Sequence, residues 1–242
     1  MKKIYPVLLL LIIILISGCM RPYPLYNLIP AENYNSRWLL GSEYVTISEN
    51  DIIASVAYLN SESDLLVFDM EVINASEEDI LVTPEIFYYH ILVSKFEDDT
   101  LKVMAVDPEK RLMVINKALS RQNASMSNQI ISNIIMETTS LIGDVADSDD
   151  KTLQEQQLDL QQDMEREVNA FRAENRIRNQ IYALKNQQNY WSSEVLRRTT
   201  LKPGDAVRGK IFFPAKRDIK KLQLVVKIED HQFDLVFDQQ KF

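Results

Sequence analysis

Leu66-Val67-Phe68-Asp69-Met70-Glu71-Val72 is the stretch on which the fold class turns. Leu66, Phe68, Met70 and Val72 occupy every second position, with Val67, Asp69 and Glu71 between them. Side chains of a strand point alternately to its two faces, so this period of two predicts a strand with one face against a core. Working outward, comparable runs lie at 44–48, 52–59, 80–82, 86–93 and 101–106. Asn60-Ser61-Glu62-Ser63 and Asn74-Ala75-Ser76 separate them, and these short polar side chains favour turns by bonding the local backbone. The alternation returns near the C-terminus. Val207, Gly209, Ile211 and Phe213 share a face, as do Leu222, Leu224, Val226 and Ile228, then Phe233, Leu235 and Phe237. Pro203-Gly204 ahead of them fits the two central positions of a tight turn.

Between the two strand regions the period changes. No proline occurs from Glu109 to Lys202, Gly143 is the only glycine there, and the composition shifts to residues that tolerate a helix. Leu112, Ile115 and Leu119 are at helical spacing, as are Ile130, Ile131, Ile134 and Ile135. A second arm, 151–198, carries the stripe Leu153, Leu160, Met164, Val168 and Phe171. Ile177, Ile181, Leu184, Gln188, Trp191 and Val195 continue it. Unbroken, that arm spans about 70 Å. The glycine, small residues and acidic charges of 143–150 predict a connection between helices there.

Three C-terminal strands cannot bury their apolar face alone, and the N-terminal group has the same problem. One immunoglobulin-like antiparallel β-sandwich solves both, with a long helical hairpin inserted between its strands. Two separate small β-domains are the weaker alternative. The expected boundaries are 43–108 and 199–242 for the sandwich and 109–198 for the insertion. A Gly/Ser loop in place of 115–196 is then expected to leave a folded β-domain.

The N-terminus supplies an address. Lys2 and Lys3 precede the apolar run 7–16, which is about half the length of a membrane span, and Ser17-Gly18-Cys19 follows. Ile16-Ser17-Gly18-Cys19 resembles the lipobox of bacterial lipoproteins. The resemblance implies a signal peptide at 1–18, cleavage between Gly18 and Cys19, and lipid on the Cys19 thiol. Met20, rather than aspartate, after that cysteine implies the outer membrane where the host has two membranes. Residues 19–42 are then the lipidated cysteine and a tether, with Pro22, Pro24 and Pro30 in the part before residue 36. Cys19 is the only cysteine, so disulfides and a thiolate metal site are excluded from the mature chain.

A second resemblance covers the sandwich. The run from Tyr190-Trp191 through Thr199-Thr200-Leu201-Lys202-Pro203-Gly204 to Ile211-Phe212-Phe213-Pro214 resembles uncharacterised bacterial lipoproteins with an immunoglobulin-like domain. In those proteins a Thr-Leu-x-Pro-Gly turn precedes a strand ending in Phe-Phe-Pro. Asn74-Ala75-Ser76, Ile80-Leu81-Val82 and Pro84 are similar to a further segment of theirs. The resemblance implies a fold and brings no activity.

Removing Lys2 and Lys3 with the leader moves the net charge from −8 to −10. That sign argues against nucleic acid and anionic lipid as partners. His90 reads as a strand residue and His231 as a turn residue rather than parts of a triad or zinc site. Asp147, Asp149 and Asp150 lack the glycine and distal glutamate of a calcium loop. Glu174 and Arg178 fit an exposed i,i+4 pair. No catalytic residue, metal ligand or cofactor is therefore assigned, and an enzyme is not expected. The expected role is structural or protein-binding, through the helices, toward an envelope partner or a second copy. The alternative is a ligand-binding module, for carbohydrate or another envelope component, built on Trp38, Tyr88 and Tyr89.

Overall fold

The structure, a computed structural model, describes residues 26–31, 34–62, 64–93, 102–146, 153–216 and 219–240, with backbone alone at 133–146 and 153–156. It contains two sheets and two long helices. Strands β2 (Ser36–Leu39), β3 (Ser42–Glu49), β4 (Ile52–Glu62) and β5 (Leu65–Asn74) form an antiparallel meander, and β10 (Ala206–Pro214) lies beside β5. In the second sheet β1 (Leu28–Pro30), β12 (His231–Gln239) and β11 (Lys221–Ile228) are adjacent. The far side of β11 is shared by β6 (Ile80–Val82) and β7 (Tyr88–Val93), which flank a 3-10 turn at Pro84–Ile86. Strands β9 (Thr199–Leu201) and β8 (Val103–Met104) pair with β6 and β7 respectively.

Strands from before and after the helices are hydrogen-bonded neighbours in both sheets. Phe68 is opposite Ile211, Ile80 opposite Leu201, and Tyr89 opposite Leu224. Two independent β-domains are thereby excluded. The apolar faces anticipated from the alternation meet in one core, where Leu66, Phe68, Met70 and Val72 are fully buried with Leu222, Leu224, Val226 and Phe237. Phe68 is at its centre, edge-on to Tyr58 at 5.4 Å, Phe213 at 5.8 Å and Phe237 at 5.3 Å. Such pairs add about 0.5–1.5 kcal/mol each beyond the area they bury. The Tyr58 hydroxyl donates to the Tyr26 carbonyl and that of Tyr89 to the Pro214 carbonyl, so the buried rings leave no hydroxyl stranded. At Pro203-Gly204 the anticipated turn forms: Asp205 N–H bonds the Lys202 carbonyl, and Gly204 takes φ +84°, which glycine adopts without strain.

Four expectations need correction. The stretch expected as a tether, 19–42, is in large part structured. Tyr26 and Leu28 are buried, β1 covers the edge of β12, and β2 completes the meander. Pro30 fits because an edge strand tolerates a missing N–H. Cys19, Gly18 and the rest of residues 1–25 lie outside the described residues. Ile86 belongs to the 3-10 turn rather than to a strand. Helix α1 (Pro108–Ala146) runs through Gly143, so 143–146 are helical rather than part of the connection anticipated at 143–150, and 147–150 lie outside the described residues. Lastly, 115–196 is not separate from the β-core: Ile115, Leu119, Trp191, Val195 and Leu196 are buried against the sheets, so replacing all of it would uncover them.

Candidate interaction surface on the helical hairpin

The hairpin consists of α1 and α2 (Leu153–Ser193), each about 60 Å long at 1.5 Å per residue. Its start is set locally. The Asp107 carboxylate accepts the Lys110 N–H at 3.0 Å, and Pro108 occupies the first helical position, where a missing donor is harmless. That backbone bond, reinforced by the Lys110 ammonium, holds Asp107 below the usual carboxylate range.

Both ends of the hairpin are fastened to the outer edge of β10. On entry, Val106 N–H donates to the Phe212 carbonyl at 2.8 Å. On exit, Lys210 N–H donates to the Glu194 carbonyl and Leu196 N–H to the Lys210 carbonyl, a short parallel bridge. An exposed strand edge is thus covered by the chain that makes the helices. Gly209 permits the crossing, since a Cβ there would lie 2.5 Å from the Leu196 nitrogen. Arg197 then reaches back to grip Glu109 through two bonds of 2.8 and 2.7 Å. This guanidinium keeps the Glu109 carboxyl below its ordinary value. Arg198 pairs with Glu85 in the same region.

The first turns of the hairpin form a second apolar cluster. Leu112, Ile115 and Leu119 of α1 join Trp191 of α2 and Val195 over Val67 and Phe212, on the outward face of the β5–β10 pair. Trp191 lies 4.9 Å from Phe212 between ring centres. Beside this cluster the Gln188 side-chain amide donates to the Asn116 side-chain carbonyl at 2.7 Å, and Ile181 and Leu184 pack against the cluster farther along α2.

Beyond this base, several apolar side chains among the described residues are uncovered. On α2, Leu160 is 64% exposed, Met164 60%, Val168 45% and Phe171 65%. Ile130 and Ile131 of α1 are exposed too, while the side chains of Ile134, Ile135 and Leu153 lie outside the described residues. The helical periodicity therefore marked two different things. Its proximal half packs on the sheet and its distal half faces solvent.

The remaining candidates separate clearly. Tyr88 and Tyr89 are buried, and burial drives the Tyr89 hydroxyl above its ordinary range, so neither can meet a ligand as a surface aromatic. Trp38 is 66% exposed on β2. His90 is half-buried against the Tyr88 ring, and His231 opens β12 with Nδ1 3.2 Å from the Asn50 amide. Glu174 and Arg178 form the anticipated pair on α2. A polar cluster went unnoticed in the sequence: on the outer sheet face Asp69 Oδ2 accepts from the Tyr44 hydroxyl at 2.6 Å and from Arg208 at 2.6 and 3.0 Å. Residues 139 positions apart give no local signal of pairing. Among the described residues, no group of three His, Cys, Asp or Glu is placed to hold a metal ion, and no helix is long and apolar enough to cross a membrane. Comparison with family models, curated proteins and solved structures returns no match.

Proposed function

We propose that this protein is an exported lipoprotein whose helical hairpin is its interaction element. Lipid on Cys19 holds it to a membrane, the outer one where the host has two. The two sheets, taken as an immunoglobulin-like sandwich, form the platform. One observation carries the functional part: the uncovered row Leu160, Met164, Val168 and Phe171 on the distal hairpin. Contiguous apolar surface on a long helix is costly in water and fits the apolar face of another helix. The base cluster already satisfies the sheet, so the distal half contributes nothing to closing the core. The ligand-binding alternative keeps Trp38 and loses Tyr88 and Tyr89 to the interior.

The test is a photo-crosslinking residue placed at Phe171, compared in cells with one at Trp38. Adducts are expected from position 171 and not from position 38. Adducts from position 38 alone would move binding to the sheet and favour the ligand-binding reading.

A further inference from the structure

The exposed face of α2 has a spacing of its own. Gln161, Met164, Val168, Phe171, Asn175 and Arg178 follow at alternating steps of three and four, the seam spacing of a coiled coil. At 3.6 residues per turn this row lies about 140° around the helix from Ile177, Ile181 and Leu184, which are half-buried. The spacing of the row, though not its residues, is the same in both directions about a midpoint between Asn169 and Ala170. An antiparallel second helix of the same sequence therefore sets Val168 against Phe171, Met164 against Asn175 and Gln161 against Arg178, each pair twice.

The charges divide about the same midpoint. Residues 159–167 carry Asp159, Asp163, Glu165 and Glu167 against Arg166, whereas the matching 172–180 carry Arg172, Arg176 and Arg178 against Glu174. Antiparallel pairing lays acidic half on basic half, and parallel pairing lays like on like. Beside the seam Glu165 meets Arg172 of the second copy. On the other flank Glu167 meets Glu174, whose charge Arg178 already offsets at 2.5 Å.

We propose that the occupant of this face is a second copy of the chain, paired antiparallel through α2 about a two-fold axis between Asn169 and Ala170. The proposal rests on the hairpin being the interaction element. Isologous pairing of this kind closes on itself, giving a dimer rather than a filament.

The experiment uses the full chain in its membrane, with the unsubstituted protein as the reference for any disulfide through Cys19. Copies carrying Gln161→Cys and copies carrying Arg178→Cys, with tags of different size, are expressed together under oxidising conditions. A disulfide heterodimer is expected, and neither variant alone should form one. Like positions are about 25 Å apart in the antiparallel pair, far beyond disulfide reach. Glu165→Arg and Arg172→Glu should each raise the dimer dissociation constant about tenfold, and combining them in one chain should restore it. A disulfide from Gln161→Cys alone would establish a parallel arrangement and overturn the proposal. Photo-crosslinkers at 161 and 178 that yield adducts with a different envelope protein, in place of the homodimer, would overturn the second copy yet keep the hairpin as interaction element. No adduct of any kind from these positions would sink both.

Discussion

Gly209 shows how much one missing methyl group decides here. Its backbone pairs with Met70 in the sheet, while the chain leaving the hairpin crosses directly over it. Gly209→Ala forces a carbon into the Leu196 backbone, which is held in place by its own N–H on the Lys210 carbonyl and by the Lys210 N–H on the Glu194 carbonyl. A loss of about 2–3 kcal/mol is expected, the cost of overpacking where the neighbour cannot move. Denaturant unfolding checks it, and an unchanged midpoint would mean that the crossing is looser than described. The alternation in the sequence put Gly209 on the correct face but gave no hint of what passes over it. Val67 teaches the same lesson from the other side. Its position between Leu66 and Phe68 marked it as outward, which it is, yet it is fully buried beneath the hairpin base. A period of two says which way a side chain points and says nothing about what covers it.

At the scale of elements, most strands and both helices were legible because each has an uninterrupted period. β1 and β2 were not, since three or four residues are too short to show one. The helix entry was half legible: Pro108 marks a helix start, whereas the Glu109–Arg197 clamp joins residues 88 apart. That clamp has a pH signature. Glu109 is held below its ordinary pKa in the fold, so its contribution is complete above the unfolded carboxylate value, about 4.3, and is lost as pH falls through the folded value. Both side chains are 42% exposed, which limits the effect to about 0.5–1 kcal/mol. Glu109→Gln should lower stability at pH 6 and do so less at pH 3, as read from urea unfolding at each pH. An equal loss at both would show that the ionic contact is not what the carboxylate provides.

On the scale of the whole molecule, the N- and C-terminal strand groups complete one core, and a hairpin leaves and returns at a single strand edge. The need for a shared core was legible from two groups of strands that could not each bury a face. The proposed membrane address rests on residues 16–19, which lie outside the described residues. What the hairpin does at its base was hidden, because helical spacing marks an apolar face without saying whether a sheet, a helix or solvent lies against it. The division predicts where the molecule can be cut. Residues 108–122 and 181–198 hold the base cluster and the β10 edge, whereas 123–180 hold the uncovered row. The most direct measurement is on the full chain with 123–180 replaced by a short Gly/Ser loop, compared with wild type for unfolding, membrane attachment and self-association. Loop closure shifts by only about 0.6 kcal/mol per doubling of length, so the shorter connection has little intrinsic cost. The expected result is a cooperatively unfolding, membrane-bound β-protein that no longer associates. A shortened chain that fails to fold, or one that folds and associates as tightly as before, would contradict it.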